Sequence, residues 1–250
     1  MSDAPTPPPP PASPPPPGYP PPPGGGGLRL PWEERDKHGF AGALIETIKL
    51  LATAPKDAFS RLRKDEDFVN PLIFGVLVYW VGHIVAAVWN VIFGQAIMQS
   101  VFSAMEGMEG MEGLDASMFL GGGASLIIDI LIGPIYALFV IFIGAGILHL
   151  IAMLVGALEN SEIGFEGTLK VVCYGMVANL ANIVPVVGWI IAFIGSLILL
   201  TVGIAQVHKT TQGKALLVVL LPIVLCCVCA IAIGVIAGFG IAGMAASAGG

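Results

Sequence analysis

Charge is scarce in this sequence: Asp, Glu, Lys and Arg make up only 11% of its 250 residues, less than half the roughly 25% of a soluble domain. A formal net charge of −6 leaves no basic excess, and no nucleic-acid partner is expected. Cysteine is rare as well. Cys173, Cys226, Cys227 and Cys229 all fall in apolar stretches, where they read as small packing residues and report no redox compartment. "CCVC" resembles a zinc motif only in its letters, because zinc needs four converging ligands and no His or acid stands near this group. No metal or cofactor is expected. GxSxG, HExxH and Walker sequences are also missing. Ser196 and His149 fall near opposite faces of the membrane, too far apart for a nucleophile and base that must meet within ~3.2 Å. The expectation is therefore a protein without enzymatic activity. No basic segment followed by an apolar one opens the chain, so no cleaved signal peptide is expected and the first true span directs insertion.

Apolar residues are what the chain has in excess: 56% hydrophobic, with a mean hydropathy of +0.87. A spanning helix needs about 20 mostly apolar residues, since every backbone polar group in a ~30 Å hydrocarbon core must be paired internally. The expected fold is all-α: a polytopic bundle of five transmembrane helices, with amphipathic pre-membrane helices and a disordered Pro-rich N-terminus. Residues 1–38 form the head, 39–67 the amphipathic helices and 71–240 the membrane domain. The spans are expected over about 71–93, 135–155, 168–184, 189–207 and 215–240.

Residues 1–27 are nearly all Pro, Gly, Ala and Ser and cannot bury enough apolar surface to fold. Pro16, Pro17, Gly18 and Tyr19 match a PPxY peptide, of the kind read by aromatic-lined grooves. Both a plain tether and a docking peptide for a protein partner fit this stretch. Phe40, Leu44, Ile48 and Leu51 then share one helical face, and Pro55 ends that helix and opens a second holding Phe59 and Leu62. Lying in the membrane interface and packing beneath the bundle are both open to this pair. "RLRKDED" balances its charges and is a poor clamp for anionic lipid. Glu106, Glu109, Glu112 and Asp115 lie in a Met-Glu-Gly repeat that reads as a flexible acidic loop, its glycines arguing against a rigid cation cage.

Lys and Arg stay on the cytoplasmic side in short loops. Of the eleven, eight (Arg29, Arg35, Lys37, Lys49, Lys56, Arg61, Arg63, Lys64) precede the first span, Lys170 starts the third, and Lys209 and Lys214 lie in the hinge "HKTTQGKA". Five spans with the N-terminus inside and the C-terminus outside put all eleven on one side. Trp89 and Trp189 then fall at the outer interface, where indole rings prefer to sit. The localisation expected is an integral multi-pass membrane protein, in the inner membrane if the source is bacterial.

The 32 residues from Ser125 to Gly156 are too many for one crossing and too few for two. Counted at ~1.5 Å per residue from Gly156, the span runs from Ile135 to Val155, and Asp129 falls ~40 Å along, beyond the core. The lead-in from Ser125 to Gly133 can bend onto the outer surface at Gly133 and Pro134. Asp129 and His149 lie ~30 Å apart on a continuous helix and cannot pair. Apart from tyrosine and cysteine, His83 and His149 are the titratable groups deep in the membrane, and either hydrogen-bonded packing or a proton or ion role fits them. Asn179 and Asn182, one turn apart, read as interhelical hydrogen-bonding glue or as the wall of a polar cavity. On the fifth span Cys226, Ala230, Gly234, Gly238 and Ala242 place a small residue at every fourth position, for close packing within the bundle or self-association into a homo-oligomer.

Together the helix pair "ALIETIKLLATAPKDAFSRL", the entry "NPLIFGVLV", the span "GPIYALFVIFIGAGILHLIAMLVG" and the block "GTLKVVCYGMVANLANIVPVVGW...GIAQVHKTTQGKAL" resemble the Yip-one domain, or Ypt/Rab-interacting protein, family of five-span membrane proteins, in its bacterial-type branch. The likeness covers about Phe40 to Leu220. It implies a cytoplasmic N-terminal region, an all-helical membrane domain and no enzymatic activity. In the eukaryotic branch it implies work with small GTPases in vesicle traffic and membrane shaping. The chain lacks that branch's Asp-Leu-Tyr-Gly-Pro motif, and its Tyr174-Gly175 reverses the Gly-Tyr expected there, so no functional residue is carried across. The expected function is a membrane-organising or trafficking-type scaffold that meets the lipid bilayer and, through its head, a protein partner. The alternative is a small-solute or ion transporter or channel subunit using His83, Asn179 and Asn182.

Overall fold

The computed structural model describes residues 29–64, 67–105 and 123–248. The PPxY stretch and the Met-Glu-Gly repeat lie outside the described residues, as do the side chains of Asp129, Gly238 and Ala242. Among the described residues every regular element is helical. Leu30 leads into a 3₁₀ turn (Pro31–Glu34), followed by α1 (Arg35–His38), α2 (Phe40–Thr53) and α3 (Pro55–Ser60). Then come α4 (Val69–Trp89), a π turn (Asn90–Gly94), α5 (Gln95–Met105) and α6 (Gly123–Leu154). The chain continues as α7 (Gly164–Gly175), a 3₁₀ helix (Met176–Ile183), α8 (Gly188–Val207) and α9 (Gln212–Ala248).

Among the described residues four stretches are long and apolar enough to cross a membrane: Val69–Gly94, Ile130–Leu154, Gly188–Val207 and Gln212–Val235. Their outward faces are apolar, with Ile143, Leu154, Trp189 and Ile231 all more than half exposed, as suits helices solvated by lipid rather than water. The expected third span takes a different form. It is split into α7 and the 3₁₀ helix, and it is packed inside the bundle between α4, α6 and α8. Two glycines of α4 make that packing close: a Cβ at Gly75 would lie 2.9 Å from Cys173 Cα, and one at Gly82 would lie 2.6 Å from the Asn179 carbonyl oxygen. At the start of the 3₁₀ helix the Asn179 amide donates to the Met176 carbonyl at 3.2 Å. Such a local side-chain bond competes with the α ladder.

The expected bend at Gly133 and Pro134 does not set off the lead-in from Ser125. α6 runs unbroken for 32 residues with Pro134 inside it. Proline has no N–H, so the carbonyl four residues back, that of Ile130, loses its helical partner. Trp80 supplies the substitute, its indole N–H donating to Ile130 O at 2.8 Å. The apolar window suited to crossing begins at Ile130, one residue past Asp129.

Residues 31–38, placed by composition within the disordered head, are instead helical and docked, and Leu30 and Trp32 are fully buried. The sequence "LPWEER" holds a leucine, a proline and a tryptophan before its charges, and burying Leu30 and Trp32 seats its short turns against the bundle. α3 packs against α8, with the Phe59 ring close against Gly203. On α2 the buried positions are Ala43, Thr47 and Leu51. Phe40, which shares a helical face with Leu44, Ile48 and Leu51, is more than half exposed.

Candidate functional site

A set of hydrogen-bonded polar residues gathers at the end that carries the short N-terminal helices, called the base here. Trp32 is their keystone. Its backbone N–H donates to Thr47 Oγ1 at 2.9 Å, and its indole N–H donates to the Asn70 carbonyl at 2.7 Å. Arg35 lies 4.4 Å above the same indole and also donates to Asn70 Oδ1. An aromatic ladder runs inward from there: Phe40, Trp32, Phe74 and Tyr174, at centroid spacings of 5.3, 5.4 and 5.1 Å. Tyr174 closes the loop by donating its hydroxyl to Glu33 Oε1 at 3.0 Å. Asp67 accepts from the Val69 and Asn70 amides at 3.1 and 3.2 Å, so a carboxylate meets the N-terminal end of α4, where the helix dipole favours negative charge.

Beside this ladder lies a buried cation. The Lys170 side chain is only 1% exposed and pairs with Glu166 one turn earlier at 2.7 Å. Its ammonium also donates to the Arg63 carbonyl at 2.8 Å, which ties α7 to the loop after α3.

A second polar group lies where α6, α7 and α8 meet. Thr168 Oγ1 sits 2.9 Å from His149 Nδ1 and 2.9 Å from His208 Nε2, and Ser161 Oγ lies 2.7 Å from His208 Nδ1. Ser161 also accepts from the Gly164 amide. One hydroxyl proton at each of Thr168 and Ser161 satisfies the chain when both imidazoles are neutral, the proton order running in either direction. Burial, and then the neighbouring His149, push the His208 imidazole down to about 4. Outside this group, Lys209 and Glu162 pair at 2.6 Å, and that hydrogen bond holds the Glu162 carboxyl below its ordinary value. Lys214 donates to the Gly156 carbonyl at 2.8 Å.

The structure scatters the other expected site residues. His83 stacks on Tyr79 at 5.8 Å, beside Gly133 of α6. Asn179 bonds within its own segment, to the Met176 carbonyl and sulfur, and Asn182 lines a cavity at the far end of the bundle. Only His149 joins a network. Ala230 and Gly234 lie on the exposed part of α9, where a Cβ at Gly234 would meet nothing within 4 Å. Sequence reasoning missed His208, Trp32, Lys170 and Tyr174 as members of the base. A signal for Lys170 was present: Glu166 stands four residues before it on an otherwise apolar helical face, the spacing of an intrahelical pair. His208, by contrast, reads in sequence as part of a polar hinge.

Four crossing-length apolar helices around a tightly packed inner segment define a multi-pass integral membrane protein. The family model of the Yip1 domain matches residues 48–234, and the chain belongs to that family. No curated protein and no solved structure matches it.

Proposed function

We propose that this chain is a non-enzymatic membrane scaffold that displays its Pro-rich head from a fixed point at the cytoplasmic surface. One observation carries the reading: Trp32, at the root of the head, is fully buried and bonded to both α2 and α4. A tether that only linked two domains would need no such anchor. The rooted segment gives the 28 residues before Arg29 a defined exit position, which reduces the entropy lost when a partner captures them. The bilayer and a protein that reads the head are the partners of this reading.

The same reading has five crossings, with α7 and its 3₁₀ extension as the third. At ~1.5 Å and ~2.0 Å per residue the two pieces span ~34 Å, enough for the hydrocarbon core. In support, Thr168 at one end meets His208 at the end of α8, while Ile183 at the other leads into the turn before Gly188. Five crossings put the N-terminus inside and the C-terminus outside, with all eleven Lys and Arg on the cytoplasmic side. The test is Trp32→Ala in the full chain. Protease should cut the segment before Phe40 at least tenfold faster, and the cellular role should be lost as it is on deletion of residues 1–27, with insertion unchanged. A Trp32→Ala protein that keeps its role would refute display from an anchored root.

A further inference from the structure

At the far end of the bundle a cavity of about 300 Å³ opens between the π turn after α4 and the turn before α8. Its size matches the low end of small-ligand sites, about 300 Å³ upward. Most of the wall is apolar, with Phe93 and Trp189 among its rings. Three side chains that carry polar groups line it, Trp89, Asn90 and Asn182. Trp89 Nε1 is buried and meets no acceptor, and the Asn90 and Asn182 amides, which also line the cavity, form no side-chain hydrogen bond among the described residues. A buried donor left unpaired costs about 1 to 3 kcal/mol, so the fold gains by having an acceptor arrive there. Two irregular features shape the wall. One is the π turn Asn90–Gly94, a form that recurs at functional sites. The other is Val186, a β-branched residue at φ 67°, where such residues are strained.

The chemistry asked of an occupant is an apolar body carrying one or two hydrogen-bond acceptors and no charge, since neither a cation nor an acid lines the cavity. The cavity's height is set by the ends of two crossing helices, Gly94 of one and Gly188 of the other. That is the membrane boundary, where the ester carbonyls of acyl lipids lie and indole rings prefer to sit. We propose that this cavity binds the ester-linked acyl region of a membrane lipid, the Trp89 indole N–H donating to an ester carbonyl and the Asn90 and Asn182 amides holding the second polar linkage. The site stands apart from the docked head and does not depend on the display reading.

The experiment is native mass spectrometry of the full chain released from maltoside micelles, titrated with diacyl phosphatidylethanolamine or with its diether counterpart, which lacks the carbonyl acceptors. The wild type should retain one diester lipid about tenfold more tightly than the diether. Trp89→Phe, which keeps the ring and removes the donor, should lower diester affinity about tenfold and abolish the preference, and Asn182→Leu should narrow it. A role in packing alone would not erase ester-over-ether discrimination. Equal wild-type affinity for the two lipids, or a Trp89→Phe chain that keeps the full preference, would overturn the assignment. Displacement by methyl laurate at the same concentration would overturn the bilayer lipid as the occupant's source.

Discussion

Thr168 joins two imidazoles through one hydroxyl, and the burial of that group makes the base sensitive to acid. His208 carries its proton equilibrium down from 6.5 to about 4 because the folded site is buried. A base with a depressed folded pKa binds more protons when unfolded, so stability rises with pH between the two values and is flat above the higher one. The His208 contribution is therefore complete above pH 6.5 and is lost progressively toward pH 4, amounting to up to about 3 kcal/mol. The thermal midpoint in detergent should fall steeply over that window for the wild type, and the fall should be shallower for His208→Gln. Parallel profiles for the two proteins would show that acid acts elsewhere. None of this was readable from spacing, because Ser161 and His208 stand 47 residues apart, joined only by how α7 and α8 meet. His149 was noticed because a histidine stands out in an apolar run, whereas His208 lies in a polar hinge and nothing marks it as buried.

Helices show the same contrast between local and distant causes. The four long apolar spans follow from composition alone, and the amphipathic pair follows from period and Pro55. The unbroken α6 does not follow, because the cause of its continuity is Trp80 on another helix. Removing the indole donor with Trp80→Phe leaves the Ile130 carbonyl unpaired in an apolar setting, at a cost of about 1 to 3 kcal/mol. The expected result is a lower thermal midpoint and faster amide exchange around Pro134. Unchanged exchange there would mean that another group pairs the carbonyl. Glycines give a test with opposite signs. Gly82→Ala pushes a Cβ to within 2.6 Å of the Asn179 carbonyl oxygen and should destabilise by about 1 to 3 kcal/mol through overpacking. Gly234→Ala meets open space and should be neutral or stabilising by up to about 1 kcal/mol, since alanine is the better helix former. Sequence spacing ranks Gly234 as a packing residue, while the structure assigns close packing to Gly75 and Gly82.

For the whole molecule, the decisive question is whether polar groups connect one face of the bundle to the other. They do not line up among the described residues. His83 lies at the level of Gly133 on α6, and His149 is sixteen residues farther along the same helix, a separation of ~24 Å. Proton transfer between side chains needs contact within about 3.2 Å, or one bridging water. Asn179 is turned to its own backbone, and Asn182 faces the far-end cavity, so neither bridges that gap. Two cavities among the described residues sit at opposite ends, one lined by Trp89 and Trp189, the other by Arg63, Lys64 and Lys209. Proteoliposomes holding the purified chain, challenged with a pH gradient and a panel of ions, should therefore show no protein-dependent flux, and His83→Gln should behave as the wild type. Deleting residues 1–27 should leave the stability unchanged within about 0.5 kcal/mol, the scale of changes remote from packed features, because the anchor begins at Leu30. The same deletion should abolish the cellular role. Flux that appears with the protein and vanishes in the His83→Gln variant would reverse the assignment, making the bundle the working part and the head dispensable.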